Sequence, residues 1–505
     1  RRGLPPRPAN SETYGNPMRT ILAIDQGTTN TKAVLLTGQG RIRAQASRSM
    51  QVVYPKPGWA EQSASAIWAT VMAVIEDIAK AADSSIAAIA ISNQRESIVL
   101  WDAVTGEPVA PCVIWQCRRS SERCAALRRA GHEAEIVAKT GLGLDPLFPA
   151  AKLSWLLDHT PGAREAAQAG RLRAGTVDSW LVWKLTGGRR HATDHSNASR
   201  TQLLNLEKCV WDDALCALFN VPPMILPEVL PSDAFYGRTA ASATALPEGI
   251  PIQAVMGDSH AAAFAHGISG PGQVKATMGT GSSLMAVTGH RVASRHGLSS
   301  TIAWSRGDKV LYALEGNIAV SGHAAAFARR LLGLEDEAAL TDLAQMVSSS
   351  EGVCFVPALA GLGAPHWHDR ARGVISGMSL GSTPAHVARA ALEAIALQIA
   401  DVLEAMEADL EAALPHLFVD GGASKSDFLM QLLADLSARQ VQRGTIAELS
   451  SYGVGKMAAE AMGLWSPPST SDAGGIFSPV LSPDIRAQIR QQWHAALQRT
   501  MFEPS

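Results

Sequence analysis

The chain has 505 residues, 47% of them hydrophobic, and a formal net charge of −2. That length predicts two or more domains, each burying its own core. The balanced charge excludes a basic nucleic-acid surface and an acidic disordered tail, and no apolar run approaches the ~20 residues of a membrane helix.

The first 17 residues, "RRGLPPRPANSETYGNP", lack the apolar region of a secretory signal and read as a disordered extension or a cloning remnant. From Met18 the pattern is strand-rich. "TILAID" reads as a buried strand, "TKAVLL" as its return, "TGQG" as a turn and "IRAQASRSM" as a third strand. "SASAIWATVMAVIEDIAKAA" (63–82) carries apolar residues at helical spacing. "IAAIAISN" (86–93) is a further buried strand, ending in Asn93, Gln94, Arg95 and Glu96. From about 120 to 250 the chain reads as mostly helical, with Pro-rich connections. "GIPIQAVMGDSHAAAFAHG" is a strand, a polar turn and a helix of small residues. A second hairpin, "GQVKATMGTGSSLMAVTG" (272–289), follows, and "LFVDGGASKSDFLMQLLADL" is a strand, a Gly-Gly turn and a helix. The hairpins "IDQGTTNTKAVLL" and "TMGTGSSLMAV" share a hydroxyl-rich Gly-Thr turn, a weak internal repeat. Two similar α/β domains with such turns predict a cleft with phosphate-binding loops on both sides.

The six cysteines have no C-x-x-C spacing, and no Cys/His cluster has zinc-site spacing. They read as free thiols in a reducing compartment, so the expected location is the cytoplasm.

Several short stretches carry chemistry. In "DQGTTNTK" (25–32), backbone N–H groups and hydroxyls suit phosphate oxygens, and the acid ahead of them suits Mg²⁺. The stretch is not a Walker A loop, and an ordinary hairpin is its plain alternative. "MGTGSS" (278–283) and "DGGASKSD" (420–427) are the second and third glycine turns. Arg95 and Glu96 offer a donor and an acceptor to a polyhydroxyl ligand, against the alternative of a surface ion pair. Trp115 suits stacking on the C–H face of a polyol, against the alternative of a core tryptophan. Asp258 suits the general base of a phosphoryl transfer. A Ser259–His260 nucleophile is disfavoured, because adjacent residues at a strand end point apart and no G-x-S-x-G elbow surrounds them. His260 and His266 share no helix face, which argues against a metal site there.

Taken together, these stretches resemble the FGGY carbohydrate kinases, and within them the glycerol kinase branch. The likeness runs from about residue 20 to 465 and includes "AIDQGTTNTKAV", "ISNQRES", "VIWQCRR", "MGDSHAAAFAHG", "MGTGSSLM", "YALEGNIAVSG" and "VDGGASKSDFLMQ". Two family signatures are visible, "FPAAKLSWLLDH" (148–159) and "GVISGMSLGSTPAHVARAALE" (373–393). The resemblance implies an α/β fold of two ribonuclease-H-like domains, of the actin and hexokinase type, around a central ATP cleft. It places residues 18–267 on the substrate side, with the first phosphate turn and the base, and 268–505 on the nucleotide side. It implies ATP and Mg²⁺ as cofactors, a small polyol or sugar as substrate, and a homodimer or homotetramer. Asp258 looks like the catalytic base and Asp25 like the Mg²⁺ residue. Thr28, Thr29 and Asn30 look like the first phosphate turn, and Thr280 and Gly281 like the second. Gly322, Gly422, Ala423 and Ser426 match positions near the nucleotide, while Gln94, Arg95, Glu96 and Trp115 match the substrate pocket.

The departures from the glycerol kinase pattern concern the pocket. Leu147 in "DPLF" replaces a tyrosine, Ser259 in "GDSHAA" replaces a glutamine, and Ser283 replaces an aromatic after "GTG". On the nucleotide side Ala326 stands where a glutamine is usual and Ser426 where an asparagine is usual. Smaller side chains leave room, so the expected substrate is a C4–C5 polyol or ketose phosphorylated on a terminal hydroxyl. The alternatives are a true glycerol kinase, a xylulokinase-type pentulose kinase, and a non-catalytic ATP-binding sensor of the same fold. "SNQRES" stands where xylulokinases usually show "SGQMHG", which argues against the second of these.

Overall fold

The computed structural model describes residues 19–502 apart from 83–84, 242, 269, 447 and 466–473, so the expected extension at 1–17 lies outside the described residues. Two large sheets organise the molecule. The first has the order Gly237–Arg238, Pro251–Gly257, Ile86–Asn93, Thr20–Gln26, Asn30–Thr37, Ile42–Ser49. The second has the order Ser299–Arg306, Lys309–Ile318, Ser282–Thr288, Gln273–Met278, His416–Asp420, Gln440–Arg443, Ile476–Phe477.

The two sheets repeat one plan. In each, a strand pairs antiparallel with its hairpin partner, the partner pairs antiparallel with a third strand, and two parallel strands follow on the other side. The internal repeat in the sequence is therefore a repeat of topology. Each first strand sits mid-sheet, covered on both faces, which is why "TILAI" and "VKA" read as continuous buried runs. The hairpin Ser299–Arg306/Lys309–Ile318, which sequence reading did not single out, closes one edge of the second sheet.

Helices cover the faces. Ala64–Ala81 buries Ile67, Val71, Val74, Ile75 and Ile78, the stripe expected from its periodicity, and Ser63 caps it by accepting from the Ala66 N–H. Pro384–Leu410 lies within the core of the second sheet. A four-stranded sheet, Glu61–Gln62, Cys112–Val113, Ile98–Asp102 and Leu172–Thr176, draws only its last strand from the 120–250 region, where short helices alternate with short strands and loops rather than dominating as expected. Among the described residues, no helix is long and apolar enough to cross a membrane.

Helix Leu449–Ala461 comes late in the chain yet packs on the first sheet and on helix Asp258–Ala265. Small residues make that approach possible. A Cβ on Gly453 would lie 1.8 Å from the Ala261 carbonyl oxygen, and one on Gly455 would lie 3.1 Å from the Ala23 Cβ. The same apolar cluster takes in Met285, Val287 and Trp304 from the second sheet, so it forms the core between the two halves.

Candidate active site

The cleft lies where turns from the two sheets face each other, beyond the carboxyl ends of the parallel strands. The first turn follows strand Thr20–Gln26, and the Gly27 N–H donates to the Asn30 carbonyl at 2.9 Å. Thr28 and Thr29 project from it. Thr28 Oγ1 accepts from the Trp115 indole N–H at 2.9 Å, so the first turn and Trp115 are tied together. Trp115 is 38% exposed, as a stacking platform requires and a core tryptophan does not.

The second turn, at 279–281, packs against the start of helix Gly322–Leu331. The N–H groups of Gly322 and His323 donate to the carbonyls of Gly279 and Thr280 at 3.0 and 3.1 Å. A Cβ on Gly281 would lie 2.4 Å from the Ile318 carbonyl oxygen, and one on Gly322 would lie 2.5 Å from that of Gly279. The third turn joins here. Gly421 has φ +92, and a Cβ on it would lie 2.5 Å from the Met278 carbonyl oxygen. Thr280, Gly281, Gly322 and the Gly421-Gly422 turn are thus brought together. Around Gly422 the space is open, with nothing within 4 Å of a Cβ placed there. Ala423 packs on the second core, and Ser426 caps helix Asp427–Ser437 by accepting from the Leu429 N–H at 3.3 Å.

At the base of the cleft, Asp258 opens helix Asp258–Ala265, and its side chain is 37% exposed. Burial raises its carboxyl above the usual range, although Arg95, with Nε 3.3 Å from Oδ1, pulls the other way. Asp25, on strand Thr20–Gln26 and one strand removed from Pro251–Gly257, is pushed up to about 7 by burial and then by the charge of Asp258. Ser92 donates to Asp25 Oδ1 at 2.8 Å. Two mutually repelling carboxylates inside a cleft fit a divalent cation, and a site with few carboxylates and room for water suits Mg²⁺.

Arg95 and Glu96 are not a surface ion pair, and each takes its close charged partner elsewhere. Arg95 Nη1 lies 3.9 Å from Glu96 Oε1 and 2.7 Å from Glu315 Oε1, and both Arg95 and Glu96 are buried. Arg200, fully buried, lies 2.7 Å from Glu96 through Nε and 2.8 Å from Glu315 through Nη1. Glu96 has φ +58, an uncommon backbone state for a non-glycine residue. Lys152 holds it there, donating to the carbonyls of Glu96 at 2.8 Å and Leu147 at 2.6 Å. Burial brings the Lys152 ammonium down to about 8.

Gln94 is placed differently from the expectation. It is buried, donates to Gln26 and Gln62 at 3.1 and 2.9 Å, and accepts from Thr28 and Ser97 at 3.3 and 2.8 Å. Both donors and both acceptor positions are used, so it braces the first turn and has nothing left for a substrate. Ser259 faces Ser283, the two oxygens 3.2 Å apart, while Leu147, half-buried, lies in the chain segment that Lys152 staples. His260 has no hydrogen-bond partner at either ring nitrogen, so Ser259 has no adjacent base and the nucleophile reading falls. Lys152, Arg200, Lys275 and Glu315 escaped sequence reading. Lys152, Lys275 and Glu315 are each an isolated charge in an apolar stretch of a buried strand or helix, the signal that could have found them, whereas Arg200 lies in the polar run "SNASRTQ" and carries no such signal.

The family model for the FGGY carbohydrate kinase N-terminal domain matches residues 20–265, and that for the C-terminal domain matches 274–462. The chain belongs to the FGGY family of carbohydrate kinases. A glycerol kinase from Trichlorobacter lovleyi is 45% identical over 492 residues, 96% of this chain and 99% of that one. An apulose kinase from Pectobacterium atrosepticum is 45% identical over 490 residues, again 96% and 99%. The crystal structure of Plasmodium falciparum glycerol kinase with ADP superposes with a TM-score of 0.90 at 29% identity, covering 96% of this chain and 99% of that one. As an FGGY kinase the chain is an ATP-dependent phosphotransferase acting on a carbohydrate or polyol, and the family uses ATP with Mg²⁺. The expected pair of actin- and hexokinase-like halves is the fold it has.

Proposed function

We propose that this FGGY kinase transfers the γ-phosphate of ATP to a terminal hydroxyl of a polyol or ketose of four or five carbons. One observation carries the reading. Ser259 and Ser283, two small polar side chains with oxygens 3.2 Å apart, stand where the glycerol kinase pattern has a glutamine and an aromatic. Small side chains at these positions leave space for a longer carbon chain, whose extra hydroxyls the serines can both donate to and accept from.

Asp258 is the general base. Burial raises its carboxyl, which makes it a stronger base toward an alcohol, and Arg95 orients it. Trp115, Arg95 and Glu96 hold the substrate, residues 28–30 and 280–281 hold the phosphates, and the turn at 421–422 lies on the nucleotide side. Asp25 would hold Mg²⁺, which neutralises charge on the transferring phosphoryl group. Residues 18–267 form the substrate-side domain and 268–505 the nucleotide-side domain. An ATP-consuming kinase works where ATP is made, so we place it in the cytoplasm.

A second reading, a true glycerol kinase, is favoured by the names of several relatives at about 45% identity. A phosphorylation screen across glycerol, erythritol, the pentitols and the pentuloses separates the two. The expected outcome is a four- or five-carbon compound with the highest kcat/KM. Glycerol at the head of the series overturns the proposal.

A further inference from the structure

A one-way chain of hydrogen bonds runs beneath the pocket wall. Lys275, fully buried on strand Gln273–Met278, donates to Ser259 Oγ at 2.7 Å. An ammonium has donors and no acceptor. At the far end, Ser283 donates its hydroxyl proton to Glu315 Oε1 at 3.0 Å. Burial alone would raise the Glu315 carboxyl, but Arg200 and Arg95 hold it well below the usual range, so it is ionised and only accepts. The sole proton of Ser283 is therefore spent on Glu315. The proton between the two serines must come from Ser259, and the direction is Lys275 to Ser259 to Ser283 to Glu315.

The middle link, 3.2 Å, is the longest of the three and exceeds the usual O–H···O distance of about 2.7–2.8 Å. It is the link that a ligand oxygen replaces at least cost. An oxygen inserted there accepts from Ser259 and donates to Ser283. A hydroxyl does both, a carbonyl or ether oxygen only accepts, and a methylene does neither. The Ser259 N–H donates to Asp258 Oδ1 at 2.6 Å, so this point lies beside the base of the proposed function.

We propose that Lys275 and Glu315 are positioning residues that set the proton directions of Ser259 and Ser283, so that the serine pair selects a substrate carrying a free hydroxyl at this subsite. The inference rests on the four- to five-carbon reading given above. It adds which atoms do the selecting and which functional group they select.

The test measures kcat and KM of the full-length enzyme on the best compound of the screen and on its monodeoxy analogues, one per carbon. One deoxy position is expected to lose about 10- to 100-fold in kcat/KM, the consequence of a buried donor and acceptor left unpaired. Ser259→Ala and Ser283→Ala each cut that ratio to below about threefold, whereas Ser283→Thr, which keeps the hydroxyl, preserves it. Lys275→Met lowers the ratio through KM, and Lys275→Gln, which keeps a donor, restores it. A ratio that survives in both alanine variants, or equal ratios for the methionine and glutamine variants, overturns the proposal. Thermal melts check each variant, and if Lys275→Met does not fold the serine variants decide. If glycerol heads the screen, the larger-substrate reading and this proposal fall together. If a four- or five-carbon compound heads it and the serine variants change nothing, only this proposal falls.

Discussion

Arg95 Nη1 lies 2.7 Å from Glu315 Oε1, and this pair joins the end of strand Ile86–Asn93 in the first sheet to the next-to-edge strand Lys309–Ile318 of the second. Arg200 completes the network from beneath, reaching Glu315 and Glu96 together. The floor of the cleft is thus a buried ionic cluster shared by both halves. Such a cluster adds little net stability as a whole, but removing one member leaves a buried charge uncompensated.

Arg200 is the member with no exposure and two carboxylate partners. Arg200→Met is expected to lower unfolding free energy by about 3–5 kcal/mol, because Glu96 and Glu315 lose a shared partner. Denaturant titration followed by tryptophan fluorescence measures this. A change below about 1 kcal/mol would show that water replaces the guanidinium.

Asp258→Asn is expected to reduce kcat by roughly 10²–10⁴-fold while leaving polyol affinity within a few-fold, since the amide cannot take the proton but occupies the same space. Steady-state kinetics with isothermal titration of the polyol makes the check. Near-normal turnover removes Asp258 from the base role.

The Asp25 carboxyl sits near 7 in the folded chain, against 3.8 as an ordinary value, with burial as the main cause. The folded state therefore binds more protons than the unfolded state between those values, and stability from this group falls as pH rises through the window. Asp25→Asn removes the penalty. The variant is expected to melt above the wild type at pH 8, by roughly 2–4 °C for each kcal/mol of penalty, with the gap closing toward pH 4. An unchanged gap across the range refutes the shift.

Two glycines give opposite expectations. Gly453→Ala drives a methyl group into the Ala261 carbonyl, 1.8 Å away, and is expected to cost more than about 2 kcal/mol. Gly422→Ala meets open space and is expected to leave the melting temperature unchanged while raising KM for ATP, because the new methyl stands in the nucleotide cleft. A Gly422→Ala enzyme with wild-type KM for ATP removes that turn from the nucleotide site.

Much of the fold was legible because local patterns carry it. The strand "TILAID", the helix at 64–81 and the paired Gly-Thr hairpins follow from periodicity and turn chemistry within a dozen or so residues. The glycine turns and Asp258 stood out as candidates for the same reason, since each is a short motif at a strand end. The bracing role of Gln94 was not legible because Gln26 and Gln62 come from separate segments that only folding brings to its amide, while Ser97 alone is local.

By itself, the sequence determined the two-fold repeat, the three glycine turns, the candidate base and the smaller side chains at 147, 259 and 283. Tertiary structure alone decided that Lys275 and Glu315 sit at opposite ends of the Ser259–Ser283 pair, that Arg200 neutralises two acids, and that helix Leu449–Ala461 completes the core of the first sheet. The physical reason is range. Backbone propensity and hydrophobic period act over a few residues, whereas a buried charge takes its partner from whichever strand the packed sheets bring alongside it.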